Sequence, residues 1–252
     1  MRRALTIAGC LFATAVQAEA APVTLEPGGP WKVDYADRTC VLSRPFSAGG
    51  QAYRFETVLE PVTPLAWLRL GSSDKVRVRD DGKAIVAVDG TELKSRVHYN
   101  IFESQSGGAV REFMYENFRT EVGGAKQTLR LRPGKHGDFR INLGEFEKAM
   151  AAADSCLEDL HRSLGVDPAL LSSIAVAPEG SAFSFVDFPR STGGLDLILL
   201  YWVNADGRVD ECRLLAPTGH QKFDGTVCAT LKEKGRYSPG RDTAGTAIRA
   251  PR

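Results

Sequence analysis

Residues 195–249 read LDLILLYWVNADGRVDECRLLAPTGHQKFDGTVCATLKEKGRYSPGRDTAGTAIR, and this stretch decides how the chain divides. Residues 195–203 are leucine-rich, aromatic and β-branched, and too short to cross a bilayer, so they predict a largely buried strand. Asp206-Gly207 supplies the residues a tight hairpin needs where φ turns positive. Residues 208–215 form the return strand, with Asp210, Cys212 and Leu214 on one face and Val209, Glu211, Arg213 and Leu215 on the other. After Pro217-Thr218-Gly219, Asp224 is the expected helix N-cap, and Phe223, Val227 and Leu231 recur along one face. Gly235 is the expected stop. Cys228 lies beside that face, so a helix packed across the hairpin brings Cys228 to Cys212. Tyr201 and Trp202 are adjacent and must face opposite ways: one belongs to the core, and the other lies on a second covered face or a partner contact.

The remaining cysteines follow from the N-terminus. Residues 1–20 carry Arg2 and Arg3, an apolar run over residues 4–16 and small residues at Ala18 and Ala20, the pattern of a cleaved secretory signal. Ile7-Ala8-Gly9-Cys10 has the look of a lipobox, but the apolar run continues past Cys10. Cleavage leaves Cys40, Cys156, Cys212 and Cys228, an even number in an exported chain and hence a disulfide framework rather than free thiols. Four cysteines allow three pairings. The strand and helix argument selects Cys212 with Cys228 and leaves Cys40 with Cys156.

The chain has 252 residues, with 32 basic and 31 acidic side chains. Cleavage removes Arg2, Arg3 and Glu19 and brings the two counts level, which argues against nucleic acid or an anionic membrane as partner. From Trp31 to Arg132, short extended segments at 32–35, 39–44, 53–59, 65–70, 75–79, 83–88, 97–103, 111–119 and 127–132 alternate with turn residues, predicting an antiparallel sheet, sandwich or barrel. Leu143, Phe146, Met150, Ala153, Leu157, Leu160 and Leu164 then follow a helical period ended by Gly165. Cys156 sits on that face, so a bridge to Cys40 staples the helix onto the early strands. Asp167-Pro168 opens a short helix. A boundary near residue 175 separates an N-terminal domain, residues 21–175, closed by helix 144–164, from a C-terminal domain, residues 176–252.

The order of apolar strand, Ala205-Asp206-Gly207-Arg208-Val209 turn, Pro217-Thr218-Gly219, Phe223-Asp224-Gly225 helix and Tyr237-Ser238-Pro239-Gly240-Arg241-Asp242 before Gly245-Thr246-Ala247-Ile248 resembles the C-terminal domain of the TonB family. The resemblance covers about residues 195–250. The Cys212 and Cys228 pair is not general to that family but resembles a subgroup of secreted TonB-like domains. The front segments, including Trp31-Lys32-Val33-Asp34-Tyr35 and residues 156–165, are similar to the front module of exported TonB-like proteins. The resemblance implies an α+β protein: a β-rich antiparallel domain with a covering helix, then a βαβ module of small antiparallel sheet plus helix. It implies a periplasmic protein that binds an envelope or outer-membrane partner by strand addition, with Tyr237, Arg241, Thr246 and Ile248 as the binding surface. A homodimer through a sheet edge is the other association it allows. The chain lacks the anchor and long Pro-rich spacer of an energy transducer, so passive binding is the expectation.

Chemistry is not expected. Ser72-Ser73-Asp74-Lys75 matches the serine-acylase spacing but lies between strands with no Lys-Thr-Gly partner. His98, His136, His161 and His220 lack zinc spacing, and no phosphate-binding loop occurs. Glu158 with Asp159 and Glu145 with Glu147 read as solvated helix charges. No catalytic residue, cofactor or metal is therefore assigned. The competing reading is a periplasmic enzyme with its site in the N-terminal domain.

Overall fold

The computed structural model describes residues 21–36, 38–62, 65–75, 80–94, 97–104, 107–115, 118–180 and 197–252. The expected signal peptide, Cys10 and most of the strand expected at 75–79 lie outside them. The first unit runs β1 (Val23–Pro27), β2 (Lys32–Tyr35), β3 (Cys40–Ala48), β4 (Gln51–Leu59), β5 (Ala66–Ser72), β6 (Asp80–Val88), β7 (Thr91–Glu92), β8 (Val97–Glu103), β9 (Ala109–Tyr115), α1 (Phe118–Glu121), β10 (Thr128–Pro133), β11 (Phe139–Asn142), α2 (Phe146–Ser163) and α3 (Pro168–Ser173). The second runs β12 (Ile174–Val176), β13 (Leu199–Val203), β14 (Val209–Leu214), α4 (Gln221–Lys234), β15 (Gly240–Asp242), β16 (Ala247–Ile248) and β17 (Ala250–Pro251).

The first sheet closes on itself. Its order is β1-β11-β10-β6-β8-β9-β5-β4-β3, and β1 pairs back to β3, which makes a nine-strand barrel. Period-two alternation fills it: Leu25, Phe46, Phe55, Leu68, Leu70, Phe113, Leu129, Leu131 and Ile141 all point inward and are almost fully buried. The closing strand β1 pairs parallel with β11, Val23 opposite Phe139, and antiparallel with β3, Pro27 opposite Phe46.

The seam beside β1 is pinned by side chains. Arg44 points inward and donates to Gly29 O at 2.7 Å, Leu143 O at 2.6 Å and Gly144 O at 2.9 Å. Trp31 Nε1 donates to the same Leu143 and Gly144 carbonyls, at 3.1 and 2.9 Å. Its ring packs against Phe46, Phe55 and Phe146. To present those carbonyls, Gly144 and Glu145 take left-handed backbone, φ 42° and 55°, so α2 begins at Phe146 rather than at residue 144. Phe146, Met150, Ala153, Leu157 and Leu160 then join the barrel core, and Cys40–Cys156 bonds α2 to β3.

This corrects the expected α+β class. The chain is mostly β: its first unit is a closed barrel, not an open sheet under a covering helix. The second unit is not one small sheet with a helix. Its strands form two three-stranded sheets, β12-β15-β16 and β14-β13-β17. The physical cause of the first error is closure by β1 and β11, two short segments absent from the sequence-based strand series.

The second unit has its own core of Tyr201, Val203, Val209, Phe223, Val227, Leu231 and Tyr237. Trp202 faces the other way, against Leu200 and Val166, with Val62, Leu164 and Leu171 from the first unit packed around them. Both neighbours, Tyr201 and Trp202, are therefore covered.

Candidate functional site

Both expected disulfides are present. Cys212–Cys228 ties β14 to α4 and Cys40–Cys156 ties β3 to α2. They differ in access: Cys40 and Cys156 are buried, whereas Cys212 and Cys228 are half-buried. Thiolate attack needs an approach to sulfur, so mild reductant without denaturant is expected to open Cys212–Cys228 first. Alkylation and peptide mass mapping read the order; earlier labelling of Cys40 and Cys156 would contradict it.

Around the disulfide, the sequence fixes local structure in small steps. Asn204 Oδ1 accepts from the Asp206 and Arg208 amides at 3.0 and 2.9 Å, and Gly207 takes φ 77° to complete the hairpin. A Cβ at Gly207 would come within 2.0 Å of Tyr237 O, so glycine also admits the chain leaving α4. Asp224 is not the N-cap. α4 starts one turn earlier, with His220 at the cap position, and Asp224 accepts from Thr218 N and Oγ1. Gly235 does end the helix, but with φ −60°: its role is space, since a Cβ would meet Leu231 O at 2.5 Å.

The four residues expected to bind a partner do not share one surface. Tyr237 is a core residue: its hydroxyl meets that of Tyr201 at 3.1 Å, and its amide donates to Gly207 O. Burial, then the Tyr237 hydrogen bond, holds the Tyr201 phenol well above its ordinary value. Arg241 lies in β15, whose main chain is paired with β12 on one side and β16 on the other. Its guanidinium returns to Gly245 O at 2.8 Å. Thr246 is exposed and just precedes β16, and Ile248 ends β16 opposite Gly240.

The β13–β14 ladder shifts register between Trp202 and Val203, which sets Asp210 at a bulge. Arg249 reaches both Asp210, at 2.9 Å, and Glu211, at 3.0 Å, so the simple alternation expected of this strand fails at Asp210. The Trp202 ring is flanked by two guanidinium groups, Arg213 at 5.1 Å and Arg249 at 5.2 Å. Arg213 also donates to Leu164 O at 3.1 Å, the end of α2. These contacts dock the second unit against the first.

The barrel carries polar side chains at one mouth. Arg111 points inward, stacks over Phe139 at 5.0 Å and donates to Ser72 Oγ at 3.2 Å. Ser72 in turn donates to Asp74 at 3.1 Å, so the Ser72 to Lys75 motif is organised by an acid and an arginine rather than by its lysine. Opposite them His136 Nε2 meets Asp80, and the hydrogen bond to His136 holds the Asp80 carboxyl below its usual range. Burial pushes the Asp89 carboxyl up, but main-chain donors from Lys126, Thr128 and Gln127 outweigh it and hold the group low. A broad open groove of about 1410 Å³ crosses the outer face of β4, β5, β9 and β8. Its charges are matched internally, Arg54 with Glu56 at 2.5 Å and Arg69 with Glu112 at 2.6 Å.

His98 is exposed, His161 is held below its ordinary value by burial and then by Arg119, and His220 stands at the N-cap position of α4 without a side-chain capping bond. Among the described residues no cluster of three His, Cys, Asp or Glu side chains could hold a metal ion. Among them too, no helix is long and apolar enough to cross a membrane. No family model, curated protein or solved structure matches the chain.

Proposed function

We propose that this chain is an exported protein-binding protein that takes an extended segment of an envelope partner onto the outer side of its terminal strand, without covalent chemistry. The disulfides are compatible with export. The TonB-family resemblance of residues 195–250 supports the mode of binding and the periplasm as its place.

The observation that carries the reading is the one-sided pairing of the two last strands, β16 and β17, each of which has one neighbour among the described residues. Asp242 N donates to Thr246 O at 3.0 Å, and Arg252 and Tyr201 exchange both main-chain bonds at 2.7 and 2.9 Å. Alternate residues of an antiparallel ladder turn their main-chain groups to opposite sides. Thr246 and Ile248 therefore spend theirs on β15, Ala250 and Arg252 spend theirs on β13, and Ala247 turns its own away. No described strand covers that side. Among the described residues the first unit has one-sided strands only at β2 and β7, beside its closed and filled barrel. An added strand gains affinity from main-chain bonds and specificity from alternate side chains. Tyr237 and Arg241 take no part in it.

Ala247→Pro removes an outward donor while leaving the bonds of β16 to β15 in place. Capture of an envelope protein from extract by the full chain, weakened roughly tenfold in Ala247→Pro with an unchanged circular dichroism spectrum, is the expected result. Equal capture by the two proteins would rule out this edge.

A further inference from the structure

The broad groove on the barrel's outer face plays no part in partner capture, and strand register decides what lines it. Pairing sets Glu56 opposite Arg69, Arg69 opposite Glu112, Glu112 opposite Asn100 and Asn100 opposite Asp81, one row crossing β4, β5, β9, β8 and β6. Their chain neighbours Phe55, Leu68, Phe113 and Tyr99 are buried inside the barrel, so the row faces outward. Adjacent strands lie about 4.8 Å apart, and the row is therefore a ladder of hydrogen-bonding groups at that repeat.

The neighbouring row is different in kind. It sets Arg54 opposite Gly71, Gly71 opposite Val110 and Val110 opposite Phe102. A Cβ at Gly71 would meet only Arg54 O, at 3.7 Å, so glycine here opens space rather than relieving a clash. Val110 and Phe102 are half-buried and form an apolar strip that ends in a ring. The groove of about 1410 Å³ lies over both rows.

Several occupants are excluded by these surroundings. β4, β5, β9 and β8 are each bonded on both sides, so no peptide can add a strand here. Arg54 is held by Glu56 at 2.5 Å and Arg69 by Glu112 at 2.6 Å, which leaves no net positive charge for a phosphate or a nucleic acid. The ladder would lose its water to a lipid chain and gain no partner. What remains is unspent hydrogen-bonding capacity. Arg69 uses only its Nε–H on Glu112, and the Asn100 amide makes no hydrogen bond among the described residues. Donors and acceptors side by side match hydroxyl groups, each of which both donates and accepts. An aromatic ring next to them matches the C–H face of a pyranose.

We propose that this outer face of the barrel binds a neutral linear saccharide chain, with its hydroxyls on the Arg69, Glu112 and Asn100 ladder and one sugar ring over Phe102. The site goes beyond partner capture, because it lies on the first unit and leaves the terminal strands free.

The probes are cellotetraose and chitotetraose, titrated against the full mature chain while amide chemical shifts are followed by NMR. Shifts centred on Arg69, Gly71, Asn100, Phe102 and Glu112 are expected with at least one of the two. Asn100→Ala is expected to weaken binding roughly fivefold, the worth of one hydrogen bond. Phe102→Ala, and Gly71→Leu, which fills the floor, are each expected to weaken it at least roughly tenfold. Unchanged amide shifts elsewhere in the barrel show that the variants fold. An oligouronate of the same length places a negative charge on every ring and is expected to bind at least roughly tenfold more weakly than the neutral chain. Ala247→Pro should bind the saccharide normally, so failure of this site and failure of partner capture are told apart. The proposal is overturned if neither saccharide moves these amides, if the shifts centre on another face, or if folded Gly71→Leu binds like wild type. An uncharged extended peptide that moves the same amides when the saccharides do not would overturn it as well.

Discussion

Replacing Cys40 and Cys156 together with alanine is expected to lower the unfolding free energy by about 5 kcal/mol, the chain-entropy value for a closed loop of this length. The bridge spans 116 residues and joins α2 to β3. It acts on the unfolded chain by tying the barrel's third strand to a helix that follows its last. Its second effect is on the native state, where both sulfurs are buried among Leu42, Leu59, Ala153 and Leu157 and their loss leaves a small void. Removing Cys212 and Cys228, separated by 16 residues, should cost about 3 kcal/mol in the same model. Guanidinium titration of the two double variants checks both size and order. A smaller loss for the Cys40 and Cys156 variant would mean that the apolar face of α2 suffices to hold the helix in place.

Trp31→Ala is the second large effect, expected at about 3 kcal/mol, the low end of the range for a buried aromatic because the ring is half-buried. Three consequences coincide at this position. The ring leaves a space between Phe46, Phe55 and Phe146, Arg44 loses the surface it covers at 5.5 Å, and two carbonyls lose a donor. Trp31→Phe divides the total, since it keeps most of the ring and removes only the donation, a change of about 1 kcal/mol. The two variants measured by thermal unfolding, with wild type, separate packing from hydrogen bonding at the seam. If Trp31→Phe were as damaging as Trp31→Ala, the carbonyls of Leu143 and Gly144 would dominate.

Much of the local structure was legible in the sequence because it follows from neighbours in the chain. The alternation at 32–35 and 97–103 predicts strands with the bounds they have, and the helical period places α2 within a few residues of its ends. The cysteine pairing was legible for the same reason: a helix after a hairpin has few places to pack. Closure of the barrel was not. β1 ends in Pro27 and begins just after the expected processing site, and β11 is four residues between turns, so neither has a visible period. Their pairing depends on each other and on β3, which periodicity cannot report.

Two residues of the expected binding surface lie elsewhere for a related reason. Position just before the last strand predicts a surface for Tyr237 and Arg241, yet Tyr237 turns into the core to meet Tyr201, and β15 gains a second neighbour from β12. β12 follows the first unit directly and contributes only three residues, too few for a pattern.

Closure by β1 also sets a clock. The first strand to be made is among the last to find its partners, because Val23 must wait for Phe139 and Leu25 for Ile141. Until then β3 and β11 both show unpaired sides to whatever else is present. Pairing across such a separation is slow compared with local hairpins. A chain cut short before Phe139 keeps every strand from β3 to β10 and has no way to shut the barrel, so an incomplete copy is distinguishable from a finished one by its sticky edges alone. The same delay makes the interval before closure, rather than the folded state, the period in which this protein is most exposed to proteases and to aggregation.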